Sequence, residues 1–160
     1  MPRLLRVLSQ LGERVDAELH AFDSSREAVQ HGSMSAADAL RALRLPLLAL
    51  HKAVLGTERR TLERVHGELS GAQFLQIVSD PLRYGWLQPF SGLILALDDT
   101  LDLKDDDENE IATPEEILER ARELLLPPKA GTPFGRRYLS LMQREPELVL
   151  AHADVAKLLR

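Results

Sequence analysis

Leucine and valine recur every three or four residues between positions 40 and 65, the longest apolar stripe in the chain. At 100° per residue most of these positions fall within an arc of about 100°, the pattern of an amphipathic helix. Ser35 and Asp38 resemble a capping box before the stripe, and Gly67 suits a helix C-terminus. We therefore predict one helix from this cap to His66. Its apolar positions are Leu40, Leu43, Leu47, Leu50, Val54, Leu62 and Val65.

Helical periodicity continues on both sides of this segment and predicts an all-α fold. Pro46 lies inside the central helix, where it removes one backbone hydrogen bond, so we expect a kink near residues 42–45. We expect an N-terminal helix over residues 2–29, packed antiparallel to the central helix, and these two helices should be the longest. Further helix starts are predicted from Ser and Thr caps, Pro residues and apolar spacing. They lie at or near Ser70, Asp80, Phe90, Thr113, Thr132 and Glu145.

Composition agrees with one helical domain over residues 1–160, a bundle of six to eight helices whose turns contain proline. Of the 160 residues, 44% are apolar and only 4% aromatic, which favours helix over strand. The chain contains no cysteine, so disulfides and thiolate chemistry are excluded. The first residues lack an uncharged apolar segment and no stretch is long enough to span a membrane, so we expect a cytoplasmic protein that does not contact membranes.

Charge is concentrated in one region. Residues 98–120 contain 11 of the 25 acidic and 2 of the 20 basic residues, net −9, so the rest of the chain has net +4. This balance argues against nucleic-acid binding. Residues 104–112 are predicted to form an exposed acidic loop.

The acidic loop also resembles a calcium-binding loop, with Asp105 at position 1 and Glu116 at position 12. The glycine required at position 6 is replaced by Glu110, and Thr113 with Glu116 already forms a predicted capping box. We therefore prefer a solvated loop to a specific calcium site.

Two polar residues interrupt the central stripe. His51 and Glu58 lie seven residues apart on one helix face, and His152 occupies an apolar stripe in the last predicted helix. Buried polar groups must find partners, so structural contacts between helices are the preferred interpretation. A small-ligand pocket or a metal site is the alternative.

Two ligands two turns apart are separated by about 10.5 Å, too far to share one ion directly. Glu63 and His66 have the Glu-x-x-His spacing of di-iron bundles, but the motif occurs once.

A second candidate region combines arginines and aromatic residues. Arg59 and its basic neighbours near the end of the central helix, together with Arg83 and Tyr84, could form an anion-binding face, although pairing of Arg59 with Glu63 is the more frequent outcome. Tyr84, Trp86 and Phe90 could line a groove or fill one end of the bundle. Phosphate loops, dinucleotide turns, nucleophile elbows and zinc-protease motifs are absent from the sequence.

Two segments resemble a family of small uncharacterised bacterial proteins. They contain a His-Lys-aliphatic helix, a Val-His-Gly turn, and an aromatic-x-Trp-Leu-x-Pro segment shortly after Asp-Pro. The resemblance implies a helical fold and no particular activity. The matching residues are His51, Lys52, Glu58, Arg59, His66, Gly67, Asp80, Pro81, Tyr84, Trp86, Leu87, Pro89, Ser91, Phe134, Arg137, Tyr138 and Pro146.

Together these features predict a non-enzymatic helical protein that binds a partner, with no cofactor. Apolar residues beside the main stripe of the N-terminal helix, such as Leu5 and Val7, predict a two-fold homodimer. The alternative function is a bundle with an internal polar site around His51 and Glu58 that binds a metal ion or small ligand. The candidate ligand or partner contacts are His51, Glu58, Arg59, Tyr84, Trp86 and His152.

Overall fold

The computed structural model describes residues 34–102 and 111–160. Within these two ranges the chain forms seven α-helices and one short 3-10 helix, and no strand, so the all-α prediction is confirmed. The helices are α1 (Ala36–His66), α2 (Gly71–Val78), α3 (Pro81–Tyr84), the 3-10 helix (Gly85–Leu87), α4 (Gln88–Leu101), α5 (Pro114–Leu125), α6 (Pro133–Met142) and α7 (Pro146–Leu159).

Helix α1 is the longest described helix and lies at the centre of the fold. Ser35 caps its start by accepting a hydrogen bond from the Asp38 amide, and Gly67 ends it with φ 81°, a conformation that favours glycine. The helix continues without a break through Pro46. It packs against α7, α4 and α5.

The apolar stripe of α1 is buried as predicted, with one exception. Leu40, Leu43, Leu50 and Val54 are fully enclosed, whereas Val65 is 75% exposed. The prediction that Val65 belongs to the core is therefore wrong. Periodicity identifies the face of a helix, but the last turn of α1 extends beyond the elements that cover that face.

The main core joins α1 to the four helices α4–α7. Its largest fully enclosed side chains come from each of these elements, as expected when helices share one apolar centre. They include Leu47, Phe90, Ile94, Ile117, Leu125, Tyr138, Leu141 and Leu148.

A smaller apolar cluster lies under the C-terminal half of α1. It consists of Leu62, Leu69, Phe74 and Tyr84, and Trp86 packs against both this cluster and the main core. The 3-10 helix therefore places the single tryptophan at the boundary between the two clusters.

The predicted helix starts are confirmed where the structure describes them. Ser70 and Thr113 form complete capping boxes with Gln73 and Glu116. Asp80 and Thr132 also cap helices with their side chains, whereas α7 starts at Pro146 without a side-chain cap hydrogen bond.

Several predictions lie outside the described residues. These are the N-terminal helix with its antiparallel packing and apolar residues Leu5 and Val7, and most of the acidic loop with its calcium-like positions. Within the described ranges, no helix combines the length and apolar character needed to cross a membrane.

Candidate functional site

The three polar residues predicted from the apolar stripes have three different partners. His51 contacts Ser91, Glu58 contacts Arg137, and His152 contacts Tyr138. Glu58 forms no direct polar contact with either histidine among the described residues, so His51, Glu58 and His152 do not meet as one polar site.

His51 is a neutral core histidine. Its Nε2 atom lies 3.0 Å from Ser91 Oγ on α4, and its ring meets the edge of Phe90 at 5.1 Å. Burial lowers the pKa of His51 to about 4, because enclosure disfavours the charged imidazolium. At neutral pH the ring therefore holds α1 to α4 without carrying charge.

Glu58 forms a buried ion pair that reaches toward the surface. Its Oε1 atom accepts hydrogen bonds from Arg137 Nε at 3.2 Å and Nη2 at 2.7 Å. The Glu58 side chain is 4% exposed and that of Arg137 is 38% exposed. The guanidinium carbon of Arg137 lies 6.0 Å from the centre of the Trp86 ring, within cation–π range. Through Arg137, the buried carboxylate therefore positions a cation beside the tryptophan.

His152 is half-buried and joins α7 to α6. Its Nδ1 atom lies 2.8 Å from the Tyr138 hydroxyl. Burial, followed by the positive charge of Arg160, lowers the pKa of His152, and burial raises the pKa of Tyr138. Both groups are therefore neutral at physiological pH, and the contact is a hydrogen bond between uncharged side chains.

Aromatic rings connect these polar contacts to Trp86. Phe134 at the start of α6 stacks on Tyr138 at 5.1 Å and packs against Trp86 at 6.4 Å and Phe90 at 5.9 Å. Ring contacts then continue from Tyr138 to His152. Phe134 is thus the central residue that fixes the inner side of the Trp86 ring.

Arg59 has internal partners. It pairs with Glu63 at 2.9 Å, donates to the Leu69 carbonyl and lies over the Phe74 ring at 5.7 Å. Its hydrogen bond is the main cause of the lowered pKa of Glu63. The pairing of Arg59 with Glu63 is confirmed, and this arginine holds the small cluster to α1.

Arg60 and Tyr84, two further residues of the predicted anion-binding face, also have structural positions, whereas Arg83 is exposed. Arg60 pairs with Glu145 at 3.1 Å, which ties α1 to the start of α7. Tyr84 is buried in the small cluster, and burial, together with the negative charge of Glu58, raises its pKa. Tyr84 and Phe90 therefore fill the interior, whereas Trp86 is only partly buried.

Two adjoining surface cavities meet beside Trp86. One, of about 490 Å³, lies between α3, the 3-10 helix and the start of α6. The other, of about 510 Å³, lies between the start of α4, the end of α5 and the loop that contains Lys129. They share the lining residues Pro89, Leu124 and Thr132. We call these two adjoining cavities together the Trp86 groove.

Local contacts hold the loop that lines the Trp86 groove against α6. Thr132 Oγ1 donates to the Lys129 carbonyl and accepts from the Gly135 amide, which closes the loop onto α6. A Cβ atom on Gly135 would lie 1.9 Å from the Lys129 carbonyl oxygen, so this close approach requires glycine. Pro81, Pro89 and Pro133 also line the groove and lie in the first turns of three helices.

Two groove residues have accessible contact surface. Leu82 is 95% exposed although it is a large apolar side chain. The Trp86 indole N–H makes no hydrogen bond with a described residue, and no buried side-chain polar atom in the described ranges lacks a partner. This indole nitrogen is therefore accessible to solvent and can donate a hydrogen bond to a bound group.

Sequence reasoning identified Trp86 and Glu58 but missed the residues that connect and surround them. Arg137 and Phe134 occur in the segments that resemble the bacterial family, yet their pairing with Glu58 and Trp86 requires the tertiary fold. Leu82 and Lys129 had no sequence signal, because an exposed leucine and a loop lysine are ordinary residues until a groove forms between them.

Within residues 34–102 and 111–160, no group of three or more His, Cys, Asp or Glu side chains is arranged to hold a metal ion. Comparison with protein-family models, with curated proteins and with solved structures finds no match to this chain. The resemblance to a bacterial family therefore stays a prediction.

Proposed function

We propose that this chain is a non-enzymatic interaction protein that binds a segment of a partner protein in the Trp86 groove. The observation that supports this most directly is a half-buried tryptophan with an accessible N–H that lines one surface groove together with a leucine that is 95% exposed. Partly enclosed aromatic residues in fixed surroundings are the usual energetic centres of protein interfaces.

The two lobes of the groove suit an extended segment better than a compact ligand. Its two cavities, of about 490 and 510 Å³, adjoin through three shared lining residues. Leu82 and Trp86 lie toward one end and Lys129 near the other lobe, with Pro89 between the lobes as a shared lining residue. An extended segment could cover both lobes, whereas a compact small molecule would fill one.

The alternative function, an internal metal or ligand site around His51 and Glu58, has less support. The Nε2 atom of His51 faces Ser91, and an oxygen of Glu58 accepts two hydrogen bonds from Arg137. A ligand at either position would first have to displace these partners. We therefore infer that both residues organise the fold and that Glu58 also supports the groove through Arg137.

Selection from a display library of random peptides tests the proposal. The immobilised wild-type protein should enrich peptides that bind with micromolar affinity. Leu82→Ser should weaken that binding about fivefold to tenfold, the loss expected when a leucine contact is removed. Leu150→Ser is the matched control, because Leu150 is 68% exposed on α7 and lies outside the groove lining. Failure to enrich any peptide, or equal weakening by the two substitutions, would contradict the proposal.

A two-fold homodimer is a separate proposal. It is based on the apolar face predicted for the N-terminal helix and does not require the Trp86 groove. If instead a second copy occupied the groove, Leu82→Ser would dissociate the dimer and Leu150→Ser would not.

A further inference from the structure

We propose that the partner segment is acidic: an extended peptide whose carboxylates meet cations along the Trp86 groove while an apolar side chain rests against Trp86 and Leu82. This inference rests on the proposed function and adds the chemistry of the partner.

The net charge of the residues that line the groove is opposite in sign to the net charge of the whole chain. The protein has a formal net charge of −5. The charged residues that line the groove among the described residues are Arg83, Arg120, Lys129 and the single carboxylate Glu123. The groove therefore has a local net charge of +2 on a protein that is acidic overall, and it would attract a negatively charged segment.

These cations are also available for binding. Arg83, Arg120 and Lys129 are exposed and form no ion pair with any described residue. The half-buried arginines of the described ranges do have such partners, for example Arg44 with Asp98 and Arg137 with Glu58. An acidic partner would thus gain three cationic contacts without breaking an ion pair between residues of the two described ranges.

The positions of the cations match an extended segment. Arg83 lines the lobe that contains Leu82 and Trp86, whereas Arg120 and Lys129 line the other lobe. A chain that covered both lobes would present an apolar residue to the tryptophan and carboxylates to the cations of each lobe. The free indole N–H of Trp86 could donate to a backbone carbonyl of that chain. This division into an apolar centre and charged flanks is typical of peptide interfaces.

Three synthetic pools of short peptides test the inference. Each pool combines Leu, Ile and Phe with one type of polar residue: Asp and Glu in the acidic pool, Asn and Gln in the neutral pool, Lys and Arg in the basic pool. Trp86 is the only tryptophan in the chain, so its fluorescence reports binding at the groove directly. We expect the acidic pool to bind at least about tenfold more tightly than the neutral pool, and this preference to decrease as salt is added.

Substitutions in the full-length protein locate the preference. Arg83→Gln, Arg120→Gln and Lys129→Gln should each weaken the acidic pool about twofold to fivefold, the range for exposed ion pairs, and leave the neutral pool unchanged. Arg64→Gln is the control, because Arg64 is an exposed arginine at the end of α1 outside the groove lining.

The outcomes separate this inference from the proposed function. Equal binding of the acidic and neutral pools, or tighter binding of the basic pool, would overturn the acidic preference while peptide binding itself stands. An acidic preference that Arg64→Gln reduces as much as the groove substitutions would also overturn it. If no pool changes the Trp86 fluorescence, both the inference and the proposed function fail.

Discussion

Glu58 on α1 and Arg137 on α6 form an ion pair in which one carboxylate oxygen accepts two hydrogen bonds, at 3.2 and 2.7 Å, from a guanidinium group 79 residues later in the chain. The two partners differ in burial, since the Glu58 side chain is 4% exposed and the Arg137 side chain 38%. Arg137 also contacts the Trp86 ring. A buried carboxylate thereby connects the core of the protein to its candidate binding surface.

The unequal burial of this pair predicts unequal costs of removing each partner. Arg137→Ala leaves the Glu58 carboxylate enclosed without its cation and should cost about 3 kcal/mol of unfolding free energy. Glu58→Ala leaves an arginine that water can reach and should cost about 1 to 2 kcal/mol. Glu58→Gln keeps an oxygen acceptor and should cost less than Glu58→Ala.

Urea unfolding at neutral pH of the wild type and these three variants measures the order. A higher stability of Glu58→Ala than of the wild type would indicate that the pair is held at a cost for some other function. That result would contradict the structural role assigned to Glu58.

The buried imidazole of His51 predicts a specific pH dependence of stability. Its pKa is about 4 in the folded protein and about 6.5 when exposed, so the unfolded state binds more protons between these values. His51 therefore contributes no destabilisation above pH 6.5, and the unfolding free energy should fall by up to about 1.4 kcal/mol per pH unit as the pH decreases from 6.5 to 4.

The double substitution His51→Phe with Ser91→Ala tests this dependence, because it removes both partners of the hydrogen bond and leaves no orphaned group. Thermal melts between pH 4 and pH 7 should show a smaller loss of stability in the double variant than in the wild type. Identical pH profiles would show that His51 does not titrate as its burial implies.

Gly135 and Gly92 provide opposite predictions for one kind of substitution. Gly135→Ala would place a Cβ atom 1.9 Å from the Lys129 carbonyl oxygen, so the loop must move, and we expect a loss of at least about 2 kcal/mol. Gly92 lies within α4 with no neighbouring atom within 4 Å of the added Cβ, so Gly92→Ala should stabilise by about 0.5 to 1 kcal/mol. Melting temperatures measure both changes, and similar shifts in the two variants would refute the proposed packing of the loop on α6.

The proposed self-association is a prediction from the sequence of the N-terminal region alone. A two-fold dimer should give twice the monomer mass of 17.9 kDa in light scattering at micromolar concentration. A mass of 17.9 kDa across that range would exclude the dimer without affecting the Trp86 groove.

Local features of the fold were predictable from sequence, and features that depend on helix packing were not. The side chains of Ser70, Asp80 and Thr113 cap their helices by accepting hydrogen bonds from amides only two or three residues later in the chain. Such caps can therefore be identified from the sequence alone. The apolar stripe correctly placed His51 and Glu58 in the interior.

The same stripe wrongly predicted that Val65 is buried, because periodicity cannot show where the elements that cover a helix face end. The partners of the buried polar residues were also inaccessible, because the contact between Glu58 and Arg137 depends on how α6 crosses α1. The charge of the groove arises from Arg83, Arg120 and Lys129, which belong to three separate segments and become neighbours only in the folded chain.

The most direct test of the central claim is the proton–nitrogen NMR spectrum of the protein during titration with the acidic peptide pool. With one tryptophan in the chain, the spectrum contains a single indole N–H signal, that of Trp86. We predict that this signal shifts progressively on binding, together with the amides of Leu82 and Lys129, while those of Val65 and Leu150 stay in place. Binding that leaves the indole signal unchanged and shifts amides elsewhere would contradict the assignment of the Trp86 groove as the partner site.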